Sequence, residues 1–162
     1  MLKKSIEDIL NAQVEKEGYS SSLYLAMASW AENSGYKGVS QWLYAQSEEE
    51  REHMLKVISY INERAGKAVI PAFKKPPVSY KNIYEMFEDV LKHEQYITDS
   101  IHQIVALTSE EKDFTTLNWV QWFVTEQIEE EAQVREIIDK ISLAGDKHMY
   151  LLDRDIMGMR GE

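Results

Sequence analysis

Cysteine is absent from the 162 residues, which removes thiol nucleophiles, CxxC redox pairs, iron–sulfur clusters and thiolate zinc sites together. Any metal the chain binds must be held by oxygen and imidazole. A Cys-free chain also suits a reducing compartment, and a cytoplasmic location is expected. Nowhere does an uninterrupted apolar run approach the roughly 18 residues of a membrane span. The N-terminal Met1-Leu2-Lys3-Lys4-Ser5 leads into a charged amphipathic pattern rather than an apolar signal-peptide core. No membrane partner is therefore expected. Positive charge is scarce, with Lys+Arg 18 against Asp+Glu 28 and a formal net charge of −10. No Lys/Arg cluster reverses that field, so nucleic acid is not an expected partner and cations are the natural ligands.

Turn formers are few and gathered. The three prolines, Pro71, Pro76 and Pro77, follow Gly66 closely, while Gly35 with Gly38, and then Gly145, mark two other breaks. The stretches between them carry helical periodicity. Ser5, with Asp8 three residues on, reads as the N-cap of a first helix reaching about residue 34, with Ile6, Ile9, Leu10, Val14, Leu25 and Ala28 along its apolar stripe. Further helices are expected over about 39–64, 80–107 and 112–144. A short amphipathic segment follows Gly145, with Met149, Leu152, Ile156 and Met159 on one stripe. Helices of this size would each be roughly 40 to 50 Å long at about 1.5 Å per residue. Long helices of matched length imply a bundle. Short breaks make helices one and two, and three and four, antiparallel neighbours, whereas residues 65–79 can carry the chain along the whole bundle. The expectation is one all-α domain: a four-helix bundle with one long crossover over 1–145, and a short fifth C-terminal helix and tail over 146–162. Leu23, Met27 and Trp30 fall off the main stripe of helix one. Either that helix has a broad apolar face, or a second subunit covers it.

At an offset of 77 residues (94 − 17) the two hairpins repeat one another: Glu17 falls on Glu94, Tyr19 on Tyr96, Trp42 on Trp119, Glu49 on Glu126, Glu50 on Gln127, Glu52 on Glu129 and His53 on Glu130. Each hairpin offers one acid in its first helix and, 33 residues later, a polar pair at i and i+3: Glu50 with His53, and Gln127 with Glu130. Such pairs share a helix side. Folded at the short turn, acid and pair lie at similar distances from it and can meet inside the bundle.

Taken alone, acidic runs such as Glu48-Glu49-Glu50 or Glu129-Glu130-Glu131 are usually solvated helix faces, and a lone histidine such as His53 is usually a partnered structural one. Recurrence at one register, on apolar-flanked faces, shifts the balance for Glu17, Glu50, Glu94 and Glu130. Burying that many carboxylates without compensation costs several kcal/mol each, and a pair of cations removes the cost. Hard oxygen ligands with one imidazole suit iron, with Mn and Zn as competitors.

The segments Glu49-Glu50-x-x-His53, Trp119 through Glu131, and Asp139 through Gly145 resemble the prokaryotic non-haem ferritins, and the resemblance spans both halves of the chain. It implies a ferritin-like bundle whose di-iron centre holds a first Fe at Glu17, Glu50 and His53, and a second at the bridging Glu50, Glu94 and Glu130, with Gln127 alongside. Tyr24, about two turns beyond Glu17, matches the family's tyrosine beside the centre, and on spacing alone it is equally a core tyrosine. Glu49, Glu126 and Glu129 match a neighbouring third site that shares Glu130, although a solvated face also accounts for them. His93, His102 and His148 match no ligand position, and Trp122 reads as core packing beside the site. Gln127-x-x-Glu130 replaces the second Glu-x-x-His of general di-iron proteins, a change that goes with passing Fe(III) onward into storage. The implied activity is ferroxidation, Fe(II) to Fe(III) with O2 or H2O2 as oxidant, in a homo-oligomeric shell of 24 copies whose fifth helix lines a channel. No haem is expected. A haem-containing bacterioferritin, for which Met54 is the methionine nearest the haem-ligand position, or another di-iron oxidase on the same fold is the alternative. An acidic interaction module without catalysis is the more distant one.

Overall fold

A computed structural model describes residues 1–160. Those residues form α1 (Lys4–Asn33), α2 (Lys37–Glu63), α3 (Ile83–Glu110), α4 (Phe114–Ala144), a 3₁₀ turn over Asp146–His148, and α5 (Met149–Gly158), with no strand among them. The last two residues of the expected tail, 161 and 162, lie outside the described residues.

Local chemistry sets the helix starts. The Asn82 side chain accepts from Glu85 N at 2.8 Å, so α3 begins at Ile83 rather than at 80. Asp113 accepts from Thr116 N at 3.1 Å and opens α4 one residue later, while Lys112 at φ 56° ends the preceding turn. Ser5 is not a cap. It lies within the first turn of α1, behind Lys3, and its hydroxyl instead donates to Glu111 Oε1 at 3.2 Å. The α2 helix starts at Lys37, two residues earlier than expected, because a distant side chain caps it: the Asp153 carboxylate of α5 accepts from Gly38 N and Val39 N, each at 2.9 Å. The α1–α2 turn needs the left-handed conformation of Gly35, φ 90°.

The α1–α2 and α3–α4 hairpins pack side by side, joined by a crossover that is stitched to α1. Asn11 donates to Lys67 O at 3.0 Å and accepts from Val69 N at 2.8 Å, and Lys67 N donates to Glu7 Oε2 at 3.0 Å. The core comprises two apolar clusters. One joins Leu23, Tyr24, Met27, Trp42, Phe87, Val90 and Ile137 with Leu152 and Ile156 of α5. The other joins Ile6, Leu10, Val57, Ile61, Ile101, Ile104 and Phe123. Leu23 and Met27 are thus buried in the chain's own core, and Trp30 sits edge-on to Tyr80 of the crossover at 5.5 Å. The second face of helix one is therefore a broad apolar face. Leu25, expected on the stripe, is 52% exposed. Among the described residues no helix is long and apolar enough to cross a membrane.

A Cβ on Gly38 would lie 1.8 Å from the Asp153 backbone oxygen, so Gly38→Ala is expected to undock α5. Hydrogen exchange over residues 149–158 should rise while α1 to α4 keep their protection. Losing the burial of Leu152 and Ile156 together with the cap should lower Tm by several degrees, at roughly 2–4 °C per kcal/mol for a domain of this size. Unchanged protection of α5 would contradict this account of the docking.

Candidate metal centre

Between the two apolar clusters lies a buried polar layer. The α1 helix brings Glu17, α2 brings Glu50 and His53, α3 brings Glu94, and α4 brings Gln127 and Glu130; all six are at most 4% exposed. Glu17, Glu50 and His53 each place a ligand atom within 4.8 Å of the others, and so do Glu50, Glu94 and Glu130. Glu50 is common to both groups. A third group joins Glu49, His53, Glu126 and Glu130 within the same distance. Glu129, expected in that third group, instead accepts from Gln133 Nε2 at 2.9 Å on an exposed face, and His53, expected only at the first site, takes its place in the group.

Six of the eight carboxylate oxygens of Glu17, Glu50, Glu94 and Glu130 have a defined partner. Tyr24 OH donates to Glu94 Oε1 and Gln127 Nε2 donates to Glu94 Oε2 at 3.1 Å. His53 Nδ1 lies 3.3 Å from Glu50 Oε2. Gln46 Nε2 donates to Glu130 Oε2 at 2.6 Å and reaches Glu50 Oε1 at 3.4 Å, and Gln13 Nε2 donates to Glu17 Oε1 at 2.7 Å. Two buried carboxylate oxygens are left bare, Glu17 Oε2 and Glu130 Oε1, as is the Gln46 amide oxygen. Among the described residues no Lys or Arg forms an ion pair with Glu17, Glu50, Glu94 or Glu130. Four carboxylates, one imidazole and two bare oxygens with no basic partner form a donor set suited to hard or borderline cations.

The electrostatics follow from that crowding. Burial, then the charges of Glu94, Glu17 and Glu130, pushes Glu50 well above the usual carboxylate range. Burial likewise pushes Glu94 up to about 7 and Glu130 up to about 9. Tyr24 is raised well above an ordinary phenol, by burial first and Glu94 next. Glu126 is raised mainly by burial.

Two groups of residues depart from the sequence reading. Trp122 is 40% exposed rather than core, standing edge-on to His53 at 5.4 Å with Lys56 Nζ 4.0 Å above its ring. With Glu49, Glu52, His53 and Glu126 it lines a cavity of about 460 Å³ leading to the third group. Gln13 and Gln46, both essentially unexposed, were not singled out from the sequence. Their signal is a glutamine one turn before an acid, at 13/17 and again at 46/50. His93 joins none of the three groups. It is half-buried, lowered to about 4 by desolvation, 2.7 Å from Ser20 Oγ and edge-on to Tyr24 at 5.9 Å.

A family model described as a ferritin-like domain matches residues 7–144. The chain is 40% identical over 158 residues to the bacterial non-heme ferritin of Campylobacter jejuni, covering 96% of this chain and 95% of that one. It is 39% identical to a probable bacterial non-heme ferritin-like protein of Haemophilus influenzae, covering 96% of each. Among solved structures, an open pore ferritin from the archaeon Archaeoglobus fulgidus superposes with a TM-score of 0.94 at 37% identity, covering 96% of both chains.

The raised carboxyls set how the metal-free protein responds to pH. Their folded pKa values exceed the unfolded value near 4.5, so the folded state binds more protons, and the stability this confers is lost as pH rises through about 7 and about 9. His93, lowered to about 4, acts in the opposite sense, but only below about 6.5. Between pH 6.5 and 9 the metal-free Tm is therefore expected to fall by several degrees. Glu130→Gln should flatten the fall and raise Tm at pH 8, and Zn²⁺ should abolish it in the wild type. Thermal melts across that range check this, and a metal-free Tm that rises with pH would refute it.

Proposed function

The chain belongs to the ferritin family, and on that premise we propose that it stores iron by oxidising Fe(II) at a di-iron ferroxidase centre within each bundle and collecting Fe(III) inside a protein shell. The observation that carries this reading is the pair of buried acid groups sharing Glu50, with bare oxygens at Glu17 and Glu130 and no basic partner. Iron is the substrate here. Glu17, Glu50 and His53 take one Fe(II); Glu50, Glu94 and Glu130 take the other, with Gln127 holding Glu94 from the side. Each ion gives one electron to the same O2, so the pair avoids releasing superoxide, and the crowded carboxylates favour the higher charge of Fe(III).

The carboxyl protons have a defined fate. Glu50, Glu94 and Glu130, raised by burial, bind cations by releasing protons, so uptake of Fe(II) is coupled to proton loss. Tyr24 fixes one oxygen of Glu94 and Gln127 the other. Product leaves towards Glu126 and towards Glu49 once its ion pair with Arg160 opens, with Glu130 and His53 shared between the centre and that third group, and the cavity beside Trp122 and Lys56 is the way out. Assembly into a closed 24-copy shell rests on family membership. Tyr150 and Leu151 of α5 and Leu143 before it, all more than half exposed, supply apolar surface for contact. A cytoplasmic setting goes with the Cys-free chain. Relatives named non-heme ferritins support a chain without haem, and a Soret band on the purified protein would contradict that.

Stopped-flow absorbance after mixing two Fe(II) per subunit with oxygenated buffer is the test. Glu50→Ala removes the shared carboxylate and should abolish the rapid phase, a loss beyond the roughly 10- to 100-fold that changes outside the ligands produce. His53→Ala and Glu130→Ala should leave slow oxidation, whereas Glu126→Ala should spare the first turnover and alter those that follow. A wild-type rate in Glu50→Ala would reassign the acids to a structural network.

A further inference from the structure

A hydrogen-bond chain enters the polar layer from the α1–α3 side. Lys16 Nζ donates to Ser100 Oγ at 2.6 Å, Ser100 Oγ donates to Gln13 Oε1 at 2.6 Å, and Gln13 Nε2 donates to Glu17 Oε1 at 2.7 Å. Its direction is fixed at the outer end, because an ammonium group only donates. Lys16 occupies a lone pair of the Ser100 hydroxyl, whose own proton must then point to the Gln13 carbonyl. The amide is thereby turned with its NH2 towards Glu17. Flipping it would set a carbonyl against a carboxylate at one end and an NH2 against the hydroxyl's proton at the other. Gln13 and Ser100 are 1% and 2% exposed, so water does not replace either contact.

We propose that Gln13 is a positioning residue for the first iron site: oriented by the Lys16–Ser100 relay, it engages Glu17 Oε1 and so presents Oε2 as the single free ligand oxygen. Glu17 Oε2 is one of the two bare buried carboxylate oxygens of the centre, as this requires. The relay serves one site only. At the 77-residue offset its glutamine is replaced by Val90, so nothing in α3 holds Glu94 in the same way, and Tyr24 and Gln127 from neighbouring helices do so instead. The first site therefore depends on a contact between α1 and α3 that the second does not share. The inference rests on the reading of Glu17 as a ligand.

Zn²⁺ titration of the metal-free full-length protein by calorimetry separates the two sites without redox chemistry. Gln13→Leu should weaken one of the two tight Zn²⁺ sites by about 10- to 100-fold and leave the other unchanged. Ser100→Ala and Lys16→Met should weaken the same site by less, Ser100→Thr should restore it, and Ser100→Ala added to Gln13→Leu should bring no further loss. These variants leave the metal-free Tm within a few degrees of wild type if their role is positioning. Equal weakening of both sites, additive losses, or wild-type affinity in Gln13→Leu would overturn the relay. A Glu17→Ala arm keeps the two readings apart: loss of one site there, with none in Gln13→Leu, sinks the relay alone, whereas no loss in Glu17→Ala removes Glu17 as a ligand and the relay with it.

Discussion

Four carboxylates are buried together without a basic side chain to balance them, and the rest of the fold makes that possible. Such a cluster opposes folding, since each charge loses water and gains like-charged neighbours. Part of the cost is avoided by protonation, part by amide and phenol donors. What remains must be met by apolar burial elsewhere, and it is supplied by clusters packed on either side of the polar layer. Long uninterrupted helices follow from the same requirement. They carry each acid through the middle of a packed body, where the backbone is satisfied within its own helix and adds no further unmet polar groups.

The two hairpins place their polar groups at one register, yet they solve the problem differently. In the first, Gln13 and Gln46 each stand one turn before an acid; in the second, the corresponding positions are Val90 and Phe123. Tyr24 has Ile101 as its counterpart, and His53 has Glu130. Donors are therefore concentrated on α1 and α2, while α3 and α4 contribute acids, Gln127 and apolar walls. The result is a pair of candidate ligand groups that share Glu50 but differ in residue type and in how firmly each carboxylate is held.

Much of this could be read from the sequence because it lies in spacing. The repeat located Glu17, Glu50, His53, Glu94, Gln127 and Glu130, and a helix of fixed pitch turns that register into a shared side. Features set by contacts between distant segments could not be read so. Asp153 capping α2 across 115 residues, Ser5 pairing with Glu111 instead of capping, and Trp122 facing a cavity instead of the core all depend on which elements meet. Leu23 and Met27 were ambiguous for the same reason: the stripe they form was visible, but its cover was not. Glu129 shows a finer limit, since one residue's change of helical angle separates it from Glu130 and sends it to Gln133.

Arg160 shows how the chain treats an acid it can neutralise by itself. Its Nη1 lies 2.8 Å from Glu49 Oε2, and its guanidinium carbon lies 4.8 Å from the Trp42 ring centroid. Glu49 borders the buried layer, within reach of a side chain from the end of α5. Glu17, Glu50, Glu94 and Glu130 lie deeper, among helices whose inward positions are taken by the acids, amides and apolar groups already described. On the proposed di-iron reading, a lysine or arginine in that layer would occupy the space of an ion and bring a single charge where two divalent ions would bring four. Leaving the layer without such a residue keeps the positive charge exchangeable. A resident arginine would stabilise the bundle permanently and close the site, whereas on the proposed reading ions that enter and leave would make the same compensation reversible, which is the condition for moving iron through it.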